Sequence, residues 1–240
     1  MNSIETKNLT KRFKDKTAVN GIDLGIKEGE LFALLGVNGA GKTTTIKMLS
    51  GLILPTSGNI TIEGMDMKKD TLKIKELLNV SPQETAIAGN LTVKENLEFM
   101  AGVYQIENRN EKIYKLIKLF KLKEVINKKA KTLSGGWQRR VSIAISLINN
   151  PKILFLDEPT LGLDVIARKE LWKIISGLKG KITIILTTHY MEEAESLSDR
   201  IAIMVDGNIV DIGTSKELIK KTKAKNFEDA FVSIATGGEL

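Results

Sequence analysis

Hydrophobic and polar positions along the chain fall into two patterns, short apolar runs bounded by turn residues and longer stretches with helical spacing. Residues 3–9 and 17–26 read as short strands, joined through the basic turn Lys11-Arg12-Phe13-Lys14-Asp15. Lys27-Glu28-Gly29-Glu30 is a turn signal ahead of the apolar run Leu31-Phe32-Ala33-Leu34-Leu35. Pro55-Thr56-Ser57-Gly58 marks another turn, and residues 59–63 return as a strand.

From about Ser81 the period lengthens. Thr92-Val93-Lys94-Glu95 has the spacing of a capping box and opens a helix to about Tyr104. A lysine-rich helix over 110–122 follows. A third starts near Ser134, with Val141, Ala144, Ile145 and Ile148 on one face. After Pro151, strands resume over 153–156, 181–186, 201–205 and 208–212, with helices between and after them. The pattern predicts an α/β core interrupted by a helical insert over about 84–150.

Composition narrows the setting. The 240 residues are 42% hydrophobic, which suits one α/β domain with a full core. No apolar stretch approaches the ~18 residues of a membrane span, and the first residues lack a signal-peptide core, so any membrane role is expected to be peripheral. With no cysteine, disulfides and thiolate metal sites are excluded. The net charge of +7 points weakly to nucleic acid, since only six of the 36 basic residues are Arg. The lysines alternate with Ile, Leu and Phe from Lys112 to Lys131, as on the solvated face of amphipathic helices. No nucleic-acid partner is expected.

The chemistry concentrates in a few segments. Gly36-Val37-Asn38-Gly39-Ala40-Gly41-Lys42-Thr43 fits the phosphate-loop pattern G-x-x-x-x-G-K-[ST] at every fixed position. It lies between an apolar strand and a helix beginning near Thr44. In that setting backbone N–H groups cradle phosphates and the helix N-terminus adds its positive dipole end. Lys42 is expected to reach the β- and γ-phosphates, and the Thr43 hydroxyl to hold Mg²⁺.

Ile153-Leu154-Phe155-Leu156-Asp157-Glu158 is an apolar strand ending in two carboxylates. Ligands of α/β sheets sit beyond the carboxyl ends of the strands. Asp157 is therefore a candidate outer ligand for Mg²⁺, and Glu158 a candidate base for the attacking water. Read alone, the pair is also a simple polar strand end. His189, the only histidine, ends another apolar strand on the same edge, where it would hydrogen-bond the γ-phosphate and the water. A lone histidine is otherwise more often a surface or satisfied core residue. Gln83, in Ser81-Pro82-Gln83-Glu84, would reach Mg²⁺ or the water from the junction with the insert, although on residue chemistry alone this is a weak signal. Ser134-Gly135-Gly136 presents free N–H groups to an anion, or is simply a capped helix start.

These segments, in this order and spacing over nearly the whole chain, resemble the nucleotide-binding subunit of ABC transporters. The resemblance implies a phosphate-loop NTPase core with an N-terminal antiparallel β subdomain and an inserted helical subdomain. It implies one cassette over 1–240, with the core over about 1–83 and 151–225, a helical signature subdomain over about 84–150, and a short C-terminal helix and tail over 226–240. The loop from Gly36 to Thr44 would bind ATP through Gly36, Asn38, Gly39, Ala40, Gly41, Lys42, Thr43 and Thr44. Gln83 would be the moving glutamine, Leu133 to Gly136 the signature, and Glu158 the catalytic glutamate. Leu161 to Asp164 would be the D-loop, with Asp164 among the nucleotide-binding residues, and His189 the switch histidine. Phe13 matches the aromatic that stacks on adenine; its bland alternative is an apolar residue under a turn.

By the same resemblance, two cassettes close head to tail on Mg-ATP, so that Ser134, Gly135 and Gly136 of one copy cover the phosphate held by Lys42 of the other. The partners implied are a second cassette, expected to be identical, and a polytopic permease at the cytoplasmic face of the cell membrane, gripped near residues 84–91. Leu186 to Glu195, Ser198 to Ala202 and Phe227 to Phe231 resemble the branch exporting drugs, lipids, polysaccharide or sodium. One departure is Trp137, which stands where the family signature usually has Gln; it is expected to pack against a partner. A soluble cassette acting on ribosomes or DNA would have two cassettes or a long coiled-coil insert. A GTPase would need Asn-Lys-x-Asp, and Asn127-Lys128-Lys129-Ala130 lacks the acid. A cassette that binds without hydrolysing would not need both Glu158 and His189.

Overall fold

The computed structural model describes residues 2–237. Two long strands, β1 (Asn2–Phe13) and β2 (Lys16–Lys27), form an antiparallel hairpin. Both outrun the expected segments. The turn is only Lys14-Asp15, with Lys14 in the left-handed region at φ 46°, and Lys11 to Phe13 belong to the strand. Phe13 thereby pairs with Lys16 across the hairpin end. The buried strand β3 (Leu31–Leu35) leads through the phosphate loop into α1 (Lys42–Leu49). β4 (Ser57–Ile62), which starts inside the turn expected at 55–58, and the short β5 (Met65–Asp66) complete a four-stranded sheet in the order β2-β1-β4-β5.

The next two elements were not foreseen. Helix α2 (Thr71–Leu77) runs directly into β6 (Leu78–Ser81), which pairs in parallel with β7 (Ile153–Asp157). β6 therefore brings Gln83 out at the same sheet edge as Asp157.

The region between them is helical. α3 (Val93–Val103) begins with the expected capping box, in which Thr92 and Glu95 satisfy each other's backbone N–H groups. α4 (Arg109–Leu119) stops earlier than its sequence pattern suggests: Lys121 turns left-handed at φ 55°, and Leu122–Val125 continues as a 3₁₀ turn. α5 (Gly135–Ser146) buries Val141, Ala144 and Ile145, with Ile148 buried just past its end.

After β7 come α6 (Val165–Ser176), β8 (Thr183–Thr188), α7 (Met191–Leu197), β9 (Arg200–Val205), β10 (Asn208–Gly213), α8 (Ser215–Thr222) and α9 (Phe227–Ala235). The second sheet has the order β10-β9-β3-β8-β7-β6 and is parallel except for the β9–β10 hairpin. The part of the expected C-terminal tail at 238–240 lies outside the described residues.

Alternation along the central strands explains their unbroken apolar character. Phe32, Leu34, Phe155 and Ile185 face Ile4, Ile22, Ile26, Ile60 and Ile62 of the antiparallel sheet. Leu31, Leu154, Leu156, Ile184 and Leu186 face the other way, onto the layer that holds Val141, Ala144, Leu171 and Ile175. Ala33, Leu35, Ile201 and Ile203 meet Ala194, Leu218 and Phe227. Both faces of the parallel sheet are covered, so its polar loops gather at the strand ends. Among the described residues, no helix is long and apolar enough to cross a membrane.

Candidate active site

Gly36 and Gly41 fix the shape of the loop after β3. A Cβ on Gly36 would collide with the Met204 carbonyl oxygen. Gly41, at φ 106°, places its α-carbon against the Ala18 carbonyl, and a side chain there would clash as well as strain the backbone. Gly41 is also the N-cap of α1, and no side chain caps this helix, so its first N–H groups point into the loop. The helix dipole and these donors make an anion cradle.

Lys42, at the first turn of α1, is 5% exposed. Its Nζ donates to the carbonyl oxygens of Gly36 at 2.7 Å and Val37 at 3.2 Å, and lies 3.3 Å from Glu158 Oε1. Thr43 Oγ1 donates to Asp157 Oδ1 at 3.0 Å. Asp157 also accepts from Thr187 Oγ1 at 2.5 Å. Glu158 sits one residue beyond β7 in the left-handed region, φ 47°. Its N–H is held by Thr187, through the carbonyl oxygen at 3.1 Å and the hydroxyl at 3.0 Å. A non-glycine residue in that conformation is strained, and the Thr187 bonds keep it there. Glu158 Oε2 lies 2.8 Å from His189 Nδ1, just past β8. Lys42, Glu158 and His189 thus form one continuous polar chain.

A cleft of about 500 Å³ opens over this chain. It is lined by Phe13, Asn38, Gly39, Ala40, Gly41, Lys42, Thr43, Thr44, Gln83, Glu158 and His189, together with Lys16, Ala18 and Leu161. Phe13 is half exposed at its rim, with the Lys11 ammonium 5.1 Å from its ring centre. Thr43, Asp157 and Gln83 offer a hydroxyl, a carboxylate and an amide, hard oxygen donors that fit Mg²⁺ shared with phosphate oxygens.

Other expected site residues lie elsewhere. Leu133, Ser134, Gly135, Gly136 and Asp164 do not line this cleft. Ser134 is the exposed N-cap of α5, and its hydroxyl accepts no helix N–H. Asp164 N-caps α6, accepting from Ile166 and Ala167 N–H at 2.9 Å. The start of α5 packs beside this turn, with Gly135 facing Leu163 and the Gly136 α-carbon close against Ala167 of α6.

Trp137, which stands at the one departure from the family signature, is only partly buried. It packs against the chain's own core, and the Arg140 guanidinium lies 4.6 Å from its ring centre. Gln138, the following residue, holds the segment from within by donating to the carbonyl oxygens of Ala130 and Leu133 at 3.1 Å.

Three residues that shape the site went unread in the sequence. Lys16 lines the cleft because the tight hairpin sets it opposite Phe13; the alternation of the two strands was the signal. Arg139 on α5 is buried and donates to the carbonyl oxygens of Pro82, at 2.6 Å, and Gln83. Its burial disfavours the charged form, against which Asp157 and Glu193 act. Glu193 on α7 is fully buried and accepts from Thr160, two residues past Glu158. Nothing local in the sequence marks either contact.

The family profile described as "ABC transporter" matches residues 19–161. The chain is 42% identical over 228 residues to the "Probable multidrug ABC transporter ATP-binding protein YbhF" of Escherichia coli, covering 94% of this chain and 39% of that protein. It is 40% identical to the "Linearmycin resistance ATP-binding protein LnrL" of Bacillus subtilis, covering 91% of this chain and 71% of that one. The chain therefore spans about two fifths of the first relative and most of the second. Among solved structures, it superposes with a TM-score of 0.79 and 28% identity on the "Dimeric structure of a post-hydrolysis state of the ATP-binding cassette MJ0796 bound to ADP and Pi". That match covers 88% of this chain and 98% of the other. With its phosphate loop, paired carboxylates and histidine gathered in one cleft of that fold, the chain belongs to the ABC transporter family.

Proposed function

We propose that this chain is the ATP-hydrolysing subunit of a membrane exporter, working as a pair of identical cassettes bound to a polytopic permease at the cytoplasmic face of the membrane. The observation that carries this reading is the Lys42–Glu158–His189 chain beside Thr43–Asp157, all facing the phosphate loop.

ATP enters with its phosphates in the loop and its base toward Phe13. Thr43, Asp157 and Gln83 would hold Mg²⁺, which would supply charge neutralisation at the phosphate oxygens. Lys42 contacts the β- and γ-phosphates. Glu158 takes a proton from water as the water oxygen bonds the γ-phosphorus and the bridging P–O bond to ADP breaks. His189 Nδ1 is committed to Glu158, which leaves Nε2 to face the γ-phosphate.

A pair of cassettes is supported by the exposed Ser134 and Gly135 outside the cleft, at a helix start with no side-chain cap. On a second copy, they would supply the N–H groups that one cleft lacks on its open side. In this reading residues 84–150 act as a signature subdomain and residues 1–83 with 151–225 as the core. Arg139 would carry movement of α5 to Gln83. Export is favoured by the names of the two relatives, one called a multidrug transporter protein and the other a resistance protein.

The test is capture from detergent-solubilised native membranes with tagged Glu158→Gln protein held in Mg-ATP. Recovery of a polytopic membrane protein is the expected result. Recovery of ribosomes or DNA-associated proteins in its place would overturn the transporter assignment.

A further inference from the structure

Glu193 is 0% exposed and belongs to α7, four residues after His189. Its Oε1 accepts from Thr160 Oγ1 at 2.8 Å and from Trp172 Nε1 at 2.9 Å. Its Oε2 has no hydrogen-bond partner. Thr160 lies two residues past Glu158, in the turn where the Leu161 N–H donates to the Glu158 carbonyl oxygen and the Leu163 N–H to that of Thr160. Trp172 lies on α6, the helix capped by Asp164. One carboxylate thus joins the turn after Glu158, the helix after His189 and the helix after Asp164. An apolar side chain would fill the same slot without the cost of burying an acid.

We propose that Glu193 is a positioning residue of the hydrolytic site, whose carboxyl oxygen pins the Glu158 turn to α7 and so maintains the 2.8 Å contact between Glu158 and His189. The inference rests on the assignment of Glu158 and His189 as the groups that align water. Glu158 sits in a strained conformation, and the Thr160 anchor restrains the chain beyond it. Burial raises the Glu193 carboxyl above its ordinary range, and the hydrogen bonds from Thr160 and Trp172 oppose that shift. A glutamine, with an amide oxygen in the same place, is therefore a close replacement. An aspartate keeps the acid but is one methylene too short to reach both donors.

The test compares the full chain with Glu193→Ala, Glu193→Gln and Glu193→Asp, reading steady-state phosphate release and equilibrium ATP binding. Glu193→Ala should lower kcat roughly 10-fold or more with ATP affinity within about 3-fold of the parent. Glu193→Gln should recover most of kcat, whereas Glu193→Asp should not. Wild-type kcat in Glu193→Ala, or recovery by Asp and not by Gln, overturns the proposal. If the alanine variant fails to fold, the Gln-against-Asp comparison decides alone. Glu158→Gln run alongside separates the two claims. Should it turn over like the parent, the hydrolytic assignment itself fails. Should it be inactive while all three Glu193 variants behave as wild type, only the positioning role fails.

Discussion

The Lys42 ammonium lies 3.3 Å from the Glu158 carboxylate, and both side chains are buried. The candidate phosphate-binding cation and the candidate base therefore contact each other directly. Phosphate oxygens entering the loop would share the same ammonium. Lys42→Ala should weaken Mg-ATP binding by roughly 10–100-fold, the range for losing charge-assisted hydrogen bonds. It also leaves Glu158 without its cationic neighbour in a buried setting, so the variant should melt lower. Calorimetric titration with Mg-ATP and a thermal melt check both.

His189 touches Glu158 but not the loop glycines, so its loss should spare binding. His189→Ala is expected to cut turnover by roughly 100-fold while ATP affinity stays within a few-fold. A matching loss in affinity would place the histidine in ground-state binding.

The exposed, uncapped start of α5 predicts that nucleotide assembles two copies. Glu158→Gln with Mg-ATP should double in mass by light scattering and return to monomer on chelation of Mg²⁺. Ser134→Arg, which fills that helix start with a bulky cation, should remain monomeric while still binding ATP. Persistent monomer in Glu158→Gln would count against paired cassettes.

Burial holds the Glu193 carboxyl above the ordinary glutamate value of 4.5. A raised folded-state value means that the folded protein binds this proton more tightly than the unfolded chain. The corresponding stability is fully present below 4.5 and is lost as pH rises through the raised value. Glu193→Gln removes this dependence. The variant should therefore melt higher than the parent at pH 8, the gap closing near pH 4. A gap that widens toward acid would contradict the sign.

The sequence made the contiguous parts of the site legible. The phosphate loop between an apolar strand and a helix, the Asp157-Glu158 strand end and His189 after an apolar run each carry their chemistry and their local setting together. The chain's α/β order was readable for the same reason, since buried parallel strands show as short apolar runs. β6 escaped because Leu78-Asn79-Val80-Ser81 is only four residues long and follows a helix without a break. The two 3₁₀ turns after α4, Leu122–Val125 and Ala130–Thr132, carry no period of their own. Arg139 and Glu193 act through partners distant in sequence, which only the packing of α5 and α7 against the sheet brings near.

The most direct test of the account is the rate of phosphate release from Mg-ATP by the parent chain and by Glu158→Gln at equal nucleotide occupancy. The parent should turn over, and the variant should lose roughly 100-fold or more while binding ATP at least as tightly. Equal rates in the two proteins would contradict the assignment of Glu158 as the base, and with it the hydrolytic role of the Lys42–Glu158–His189 chain.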